Sequence, residues 1–270
     1  MVDTDSVEDV ARSERMGWAA RVGLAARAVV YLLIGWLTVL VALGEREHAD
    51  QRSALTEIVT KPWGSVLVLL MAVGFACYAL WRLSEVFFGV TGERDRPLAR
   101  LASLVRAVAY AGLTFVALSV YAGARQTQSS DQEAMAQSLL PSMGGRLILG
   151  LAGLALVCVG GYMVYQGITS DFMKYFSALP TSRRTWVIWL GRIGTTARGI
   201  VFGAAGLLLV LAAWQLEPNK AGGIDDAIRT ALELPGGTVI VLALGVGLIL
   251  FGIYGLAEAA WRRVPDRESS

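Results

Sequence analysis

Three arginines, Arg27, Arg106 and Arg198, lie one to two turns inside apolar runs, and Glu85, Gln166 and Glu258 lie near the ends of others. Arg21, Arg100 and Arg192 stand six residues before the three. A guanidinium keeps its charge at any working pH, and a charge at membrane depth needs compensation. Two kinds of chemistry follow. The arginines can pair with the acids and so avoid an isolated buried charge, or they can grip a phosphate or carboxylate carried by a lipid, a quinone-like molecule or a solute. Catalysis has little to work with. One histidine occurs, His48, in a polar stretch, and two cysteines, Cys77 and Cys158, lie inside apolar runs and read as core thiols rather than a disulfide framework. No Gly-x-Ser-x-Gly, His-Glu-x-x-His, Walker or dinucleotide pattern is present. The expectation is a protein that is not an enzyme and uses no cofactor or metal.

The elements that position these residues are long and apolar. Of the 270 residues 55% are hydrophobic, with a mean hydropathy of +0.54, against roughly 45–50% apolar in soluble domains. Six runs, 22–44, 63–89, 101–123, 146–168, 193–215 and 237–260, each reach the length of about 20 residues with which a helix crosses a bilayer core. They are apolar all round, whereas barrel strands alternate. The expected fold is all-α, a polytopic membrane protein with six transmembrane helices. A net charge of +2 carries no nucleic-acid signature. Val2 to Arg15 is polar and acidic, unlike a cleavable signal, so the first helix is expected to direct insertion.

Basic residues fix an expected orientation. The N-terminal stretch through Arg27, the second–third and fourth–fifth connections and the C-terminus hold 17 Lys and Arg; the three opposite connections hold 7. The positive-inside rule then places both termini in the cytoplasm, with the chain in the cell membrane. Trp18, Trp63, Trp186, Trp189, Trp214 and Trp261 suit interfacial belts.

The arginines also mark an internal repeat. Arg21/Arg100/Arg192 and Arg27/Arg106/Arg198 recur at offsets of 79 and 92 residues. Gly64, Gly145 and Gly237 open the second helix of each unit after Pro62, Pro141 and Pro235, and Trp81/Tyr162/Tyr254 and Glu85/Gln166/Glu258 follow at equal spacing. The units are 18–90, 98–170 and 191–262, flanked by polar tails at 1–17 and 263–270 and split by a linker at 171–190. Two crossings per unit give three hairpins of one orientation, related by an axis along the membrane normal rather than inverted. A pseudo-threefold cluster and a row of hairpins both satisfy that. At about 1.5 Å per helical residue, with Cβ bonds tilted toward each N-terminus, the charged positions of a hairpin converge. The expected pairs are Arg27–Glu85, Arg106–Gln166 and Arg198–Glu258. Gln166 accepts a bond without neutralising a charge, which leaves room for a lipid phosphate in the middle copy.

The connections carry further signals. Apolar residues at helical spacing over 54–59, 134–140 and 227–232 predict short helices at the outer face, the first and third capped by Ser53 and Asp226. The 171–190 linker mixes Phe172, Tyr175, Phe176, Trp186 and Trp189 with Lys174, Arg183 and Arg184, which suits an interfacial segment on anionic lipid or a docking site for a membrane-protein partner. Gly199-x-x-x-Gly203, Gly150 with Gly153, Gly160-Gly161, and Gly247 with Gly252 and Gly255 predict close helix contacts.

Three copies of a two-helix unit opening on Ala20-Arg21-Val22-Gly23-Leu24-Ala25-Ala26-Arg27, and again on Gly191-Arg192-Ile193-Gly194-Thr195-Thr196-Ala197-Arg198, resemble a bacterial membrane family, the domain of unknown function numbered 1206, over residues 18–262. The middle copy departs, with Ala102 in place of the glycine and two extra residues between Pro141 and Gly145. The resemblance implies three hairpins and brings no activity. The expected function is a structural or accessory membrane protein that binds lipid, anionic head groups included, or a larger membrane complex. The alternative is a channel or transporter with a site between the repeats, although polar mid-membrane residues are few: Thr38, Thr114, Ser119 and the tyrosines.

Overall fold

A computed structural model describes residues 14–45, 51–60, 64–88, 97–123, 128–176 and 179–261. Most of the N-terminal tail, His48, the 263–270 tail and the side chains of Glu85, Ala102, Ser53 and Tyr175 lie outside the described residues. Six long helices carry the fold: α1 (Glu14–Ala42), α3 (Gly64–Phe88), α4 (Pro97–Tyr121), α6 (Met143–Thr169), α7 (Thr181–Gln215) and α9 (Gly237–Trp261). All six are long and apolar enough to cross a membrane. The short helices expected in the connections are present as α2 (Gln51–Val59), α5 (Gln128–Leu139) and α8 (Ile224–Leu232). Each buries part of its apolar face: Ala54 and Leu55, Ala136, and Ala227 and Ile228, whereas Met135 is exposed.

Local chemistry sets the helix ends. Ser142 accepts from Gly145 N at 2.9 Å and so starts α6. Ser170 and Leu216 close α6 and α7 in the left-handed conformation. Asp226 does not sit at the N-cap of α8, which is Gly223; it reaches back from inside the helix and accepts from Gly222 N at 2.7 Å. Gln51 begins α2, so Ser53 is likewise already within its helix. The fifth span also begins earlier than its apolar run. Thr181 follows Pro180, a residue that cannot continue a helix backwards, so the second half of the 171–190 linker forms the first turns of α7. The first half is a 3₁₀ turn, Asp171–Tyr175.

Neighbouring long helices run in the order α4, α3, α1, α9, α7, α6. The closest pairs join the second helix of one unit to the first helix of the next: α3 to α4, α6 to α7, and α9 back to α1. Packing inside a unit is looser for α1 with α3 and for α7 with α9, and α4 and α6 barely touch. The bundle is therefore a pseudo-threefold ring with one open seam, and the seam lies inside the middle unit.

Glycines mark two of the three tight pairs, α6/α7 and α1/α9. Without a hydrophobic drive between helices in lipid, close contact comes from small residues. A Cβ on Gly160 would fall 2.6 Å from Gly203 N, and one on Gly35 2.7 Å from Ile249 N, so the α6/α7 and α1/α9 contacts need those glycines. Inside units 1 and 3, a Cβ on Gly23 would fall 2.6 Å from Tyr78 Cβ and one on Gly194 2.5 Å from Phe251 Cα. The matching position of unit 2 is Ala102, and opposite it Ala155 replaces the glycines Gly74 and Gly247. The unit that stays open thus has alanine at both positions where the closed units have glycine.

Candidate functional site

The opening arginine of a unit caps a helix of the unit before it. Arg21 donates to the Ala260 carbonyl at 3.3 Å, and Arg192 donates to the Ile168 carbonyl at 3.0 Å. Ala260 and Ile168 occupy equivalent places near the ends of α9 and α6. Unpaired carbonyls at a helix C-terminus carry partial negative charge, so a guanidinium there both bonds and neutralises. Arg192 also lies over the Trp189 ring, 5.4 Å from its centroid. Arg100 takes the matching place at the start of α4, where it is exposed.

The second arginine follows the same cyclic rule. Arg27 forms an ion pair with Glu258 across α1 and α9, both side chains being nearly covered. The side chain of the expected partner, Glu85, lies outside the described residues; the partner shown for Arg27 belongs to the third unit. The reason is the packing order: α9 contacts α1 more closely than α3 does. The Arg198–Glu258 pair is corrected for the same reason, because Glu258 is turned to Arg27. The Arg106–Gln166 pair is corrected by the seam, since Arg106 is exposed on α4 while Gln166 donates to the Tyr162 hydroxyl at 3.1 Å within α6.

Under the cyclic rule the partner of Arg198 would be Gln166, an amide where Glu258 is an acid. Arg198 makes no ion pair among the described residues. Its guanidinium instead stands 4.9 Å from each of three ring centroids, Tyr31, Phe202 and Phe251. Arg27 lies over the same Phe251 ring at 5.6 Å. Tyr31 and Phe251 meet edge to face at 4.8 Å, and Tyr78 and Tyr110 are 4.2 Å apart. Tyr110, on α4, interacts electrostatically with both Arg27 and Arg198. The interior of the ring thus holds an aromatic cluster around the Arg27 and Arg198 guanidinium groups and, among the described side chains, the Glu258 carboxylate.

Three buried polar atoms in this cluster have no hydrogen-bond partner: Arg27 Nε, Arg198 Nε and Tyr110 Oη. The aromatic residues are the part that the charged positions alone did not reveal. Tyr31, Tyr110 and Phe202 each follow an arginine by four residues, a spacing that places them on the arginine's own helix face. Arg82 is a further member, 3% exposed, bonded to Tyr78 Oη at 2.8 Å and stacked 4.4 Å from the Trp81 centroid.

The seam exposes what the other units cover. Trp81 and Tyr254 are 5% and 4% exposed, but their counterpart Tyr162 is 52% exposed. Tyr78 and Phe251 are likewise buried, while Val159 in the same place is open. In the linker, Phe172 and Phe176 are buried against Tyr254, with ring centroids at 5.1 and 5.9 Å, so they serve the core of unit 3 rather than an outer surface. Trp186 and Trp189 are exposed on α7.

The family described as Domain of Unknown Function (DUF1206) matches three times, over residues 22–89, 101–170 and 193–262. A Bacillus subtilis (strain 168) protein described as uncharacterized protein YxxB is 27% identical over 249 residues, covering 90% of each chain. No solved structure matches.

Proposed function

The chain belongs to the DUF1206 family of unknown function, and we propose that it is a non-enzymatic, lipid-binding accessory protein of a bacterial inner membrane. The single observation that carries the reading is the seam between α4 and α6. It is the break in the order of neighbouring long helices, and its α6 wall presents Val159 and Tyr162 where the equivalent residues of the other units are covered. A lateral gap of this kind, faced with apolar and aromatic side chains, suits an acyl chain or a head group entering from the bilayer.

The mid-bundle hydroxyls support binding over transport. Thr38, Thr114 and Ser119 donate to the carbonyls of Ile34, Tyr110 and Phe115 in their own helices, at 2.7, 2.8 and 2.8 Å, and so offer no continuous polar path. Exposed Trp186 and Trp189 near the start of α7 suit the head-group layer or a membrane-protein partner. The excess of Lys and Arg at the arginine end of the bundle supports placing that end, and both termini, in the cytoplasm.

The test uses the full chain in lipid nanodiscs, with a photoactivatable residue at Tyr162 or at Leu207, an exposed site on α7. Spin-labelled phosphatidylcholine is exchanged in before illumination. Slow exchange at Tyr162 and fast exchange at Leu207 supports a bound lipid at the seam. Equal, fast exchange at both removes the reading.

A further inference from the structure

We propose that the aromatic and guanidinium cluster at the seam is a binding site for one phosphate-type anion, held by Arg198, Tyr110 and Arg27. The proposal deepens the lipid-binding reading and rests on it for the route of entry. Its own ground is the inventory of unmet groups. Buried polar atoms almost always find a partner, and each that does not calls for an explanation. Here three occur around one aromatic cluster, and all three can donate: two guanidinium Nε–H groups and a phenol O–H. A set of donors with no acceptor is complemented by an acceptor-rich group, and a phosphate supplies several acceptor oxygens together with negative charge.

The charge count points the same way. Arg27 has Glu258, whereas Arg198 has three ring faces and no carboxylate among the described residues. A cation over an aromatic face gains about 0.5–2 kcal/mol, which holds the guanidinium in place without neutralising it. The missing acid is traceable to one residue. Gln166 stands in α6 where Glu258 stands in α9, and it donates to Tyr162 instead of meeting the arginine. The unit that gives up the carboxylate is the unit whose helices fail to close. Tyr110 stands on α4 and Gln166 on α6, the two walls of the seam, so the uncompensated charge and the route to it coincide.

Two sources could bring the anion, a phospholipid head group or free phosphate. The full chain is released from nanodiscs of phosphatidylcholine doped with phosphatidylglycerol and examined by native mass spectrometry, with thermal stability in detergent measured with and without inorganic phosphate. One retained phosphatidylglycerol per chain, in preference to phosphatidylcholine, is expected. Arg198→Gln and Tyr110→Phe should each lower that preference about tenfold, the scale of one lost hydrogen bond to a charged group. Tyr110→Phe keeps the ring, so it decides the matter if Arg198→Gln does not fold, and Arg198→Lys should restore part of the preference. Retention that excess inorganic phosphate does not displace supports the lipid source. Stabilisation by inorganic phosphate alone, lost in Tyr110→Phe, supports the free anion. Equal retention of both lipids with no stabilisation by phosphate, or variants that behave as the wild type, overturns the site. Slow exchange at Tyr162 without head-group preference overturns this inference and leaves the lipid-binding reading standing; phosphate stabilisation that depends on Arg198, with fast exchange at Tyr162, does the reverse.

Discussion

Arg27 of the first unit and Glu258 of the third, 231 positions apart in the chain, form a nearly buried ion pair that fastens the first unit to the third. Glu258→Gln would leave the Arg27 guanidinium beside Arg198 with no described carboxylate. Removing one member of a buried pair costs about 3–5 kcal/mol, whereas replacing both by apolar residues is often close to neutral. The expected order is therefore that Glu258→Gln lowers unfolding stability in mild detergent more than the Arg27→Met, Glu258→Met double variant does. An unfolding midpoint for Glu258→Gln equal to that of the wild type would show that the pair contributes nothing.

Close helix contact gives a second expectation. A Cβ on Gly194 would sit 2.5 Å from Phe251 Cα and N, a backbone neighbour that cannot turn aside, while one on Gly161 meets nothing within 4 Å. Gly194→Ala should destabilise by about 1–3 kcal/mol through overpacking. Gly161→Ala should be neutral or stabilising by up to about 1 kcal/mol, since alanine favours the helix. Thermal unfolding of the two variants side by side reads the difference, and equal midpoints would contradict the packing argument.

What the sequence carried plainly was periodic and long-range in composition: six apolar runs, a triplicated arginine pair, and short amphipathic segments before each proline. Those features depend on each helix alone. The partner of each arginine depends on which helix lies beside it, and a cyclic repeat offers two neighbours with the same residue types. From the sequence Arg27 had Glu85 in its own hairpin and Glu258 in the third unit as equal candidates, and the tightness of α1 against α9 is what brings Glu258 to it. The clue was nonetheless written in the chain. Gly35 and Gly245 mark the α1/α9 contact, while Ala102 and Ala155 mark the hairpin that does not close. The burial of Phe172 and Phe176 was hidden for a simpler reason, since bulky apolar residues beside lysine and arginine suit a membrane surface and a packed turn equally well.

The loop end of the bundle should respond to pH. Burial first, and next the charge of Asp226, hold the Glu133 carboxyl above its ordinary 4.5, against the pull of Arg229 and with a smaller push from Asp225. Asp225 is itself buried and bonded to Arg229 Nε at 3.2 Å. A carboxyl whose folded pKa is raised favours the protonated folded state, so its contribution is full below the unfolded value and is lost as pH rises through the folded one. Hydrogen exchange of the α5 and α8 amides, corrected for intrinsic rate, should therefore show more protection at about pH 4 than at about pH 7. Glu133→Gln should flatten that dependence. Protection that increases with pH in the wild type would contradict the sign.

The seam itself is open to engineering. Units 1 and 3 close with glycine at both facing positions, Gly23 with Gly74 and Gly194 with Gly247, and unit 2 has alanine at both. If these two methyl groups hold α4 away from α6, Ala102→Gly with Ala155→Gly should let the hairpin close. Each glycine costs about 1 kcal/mol of helix stability, so the double variant gains nothing unless new contact offsets that loss. Spin labels on Val108→Cys and Tyr162→Cys, exposed sites on α4 and α6, report the separation once Cys77 and Cys158 are replaced by alanine. A shorter label distance, with loss of the slowly exchanging lipid at Tyr162, is the expected result. An unchanged distance with reduced stability would mean that the glycines are not what opens the middle unit. The mismatch between Arg198 and Gln166 would then be the remaining cause on the bundle's own side, and Gln166→Glu would be the variant that closes it.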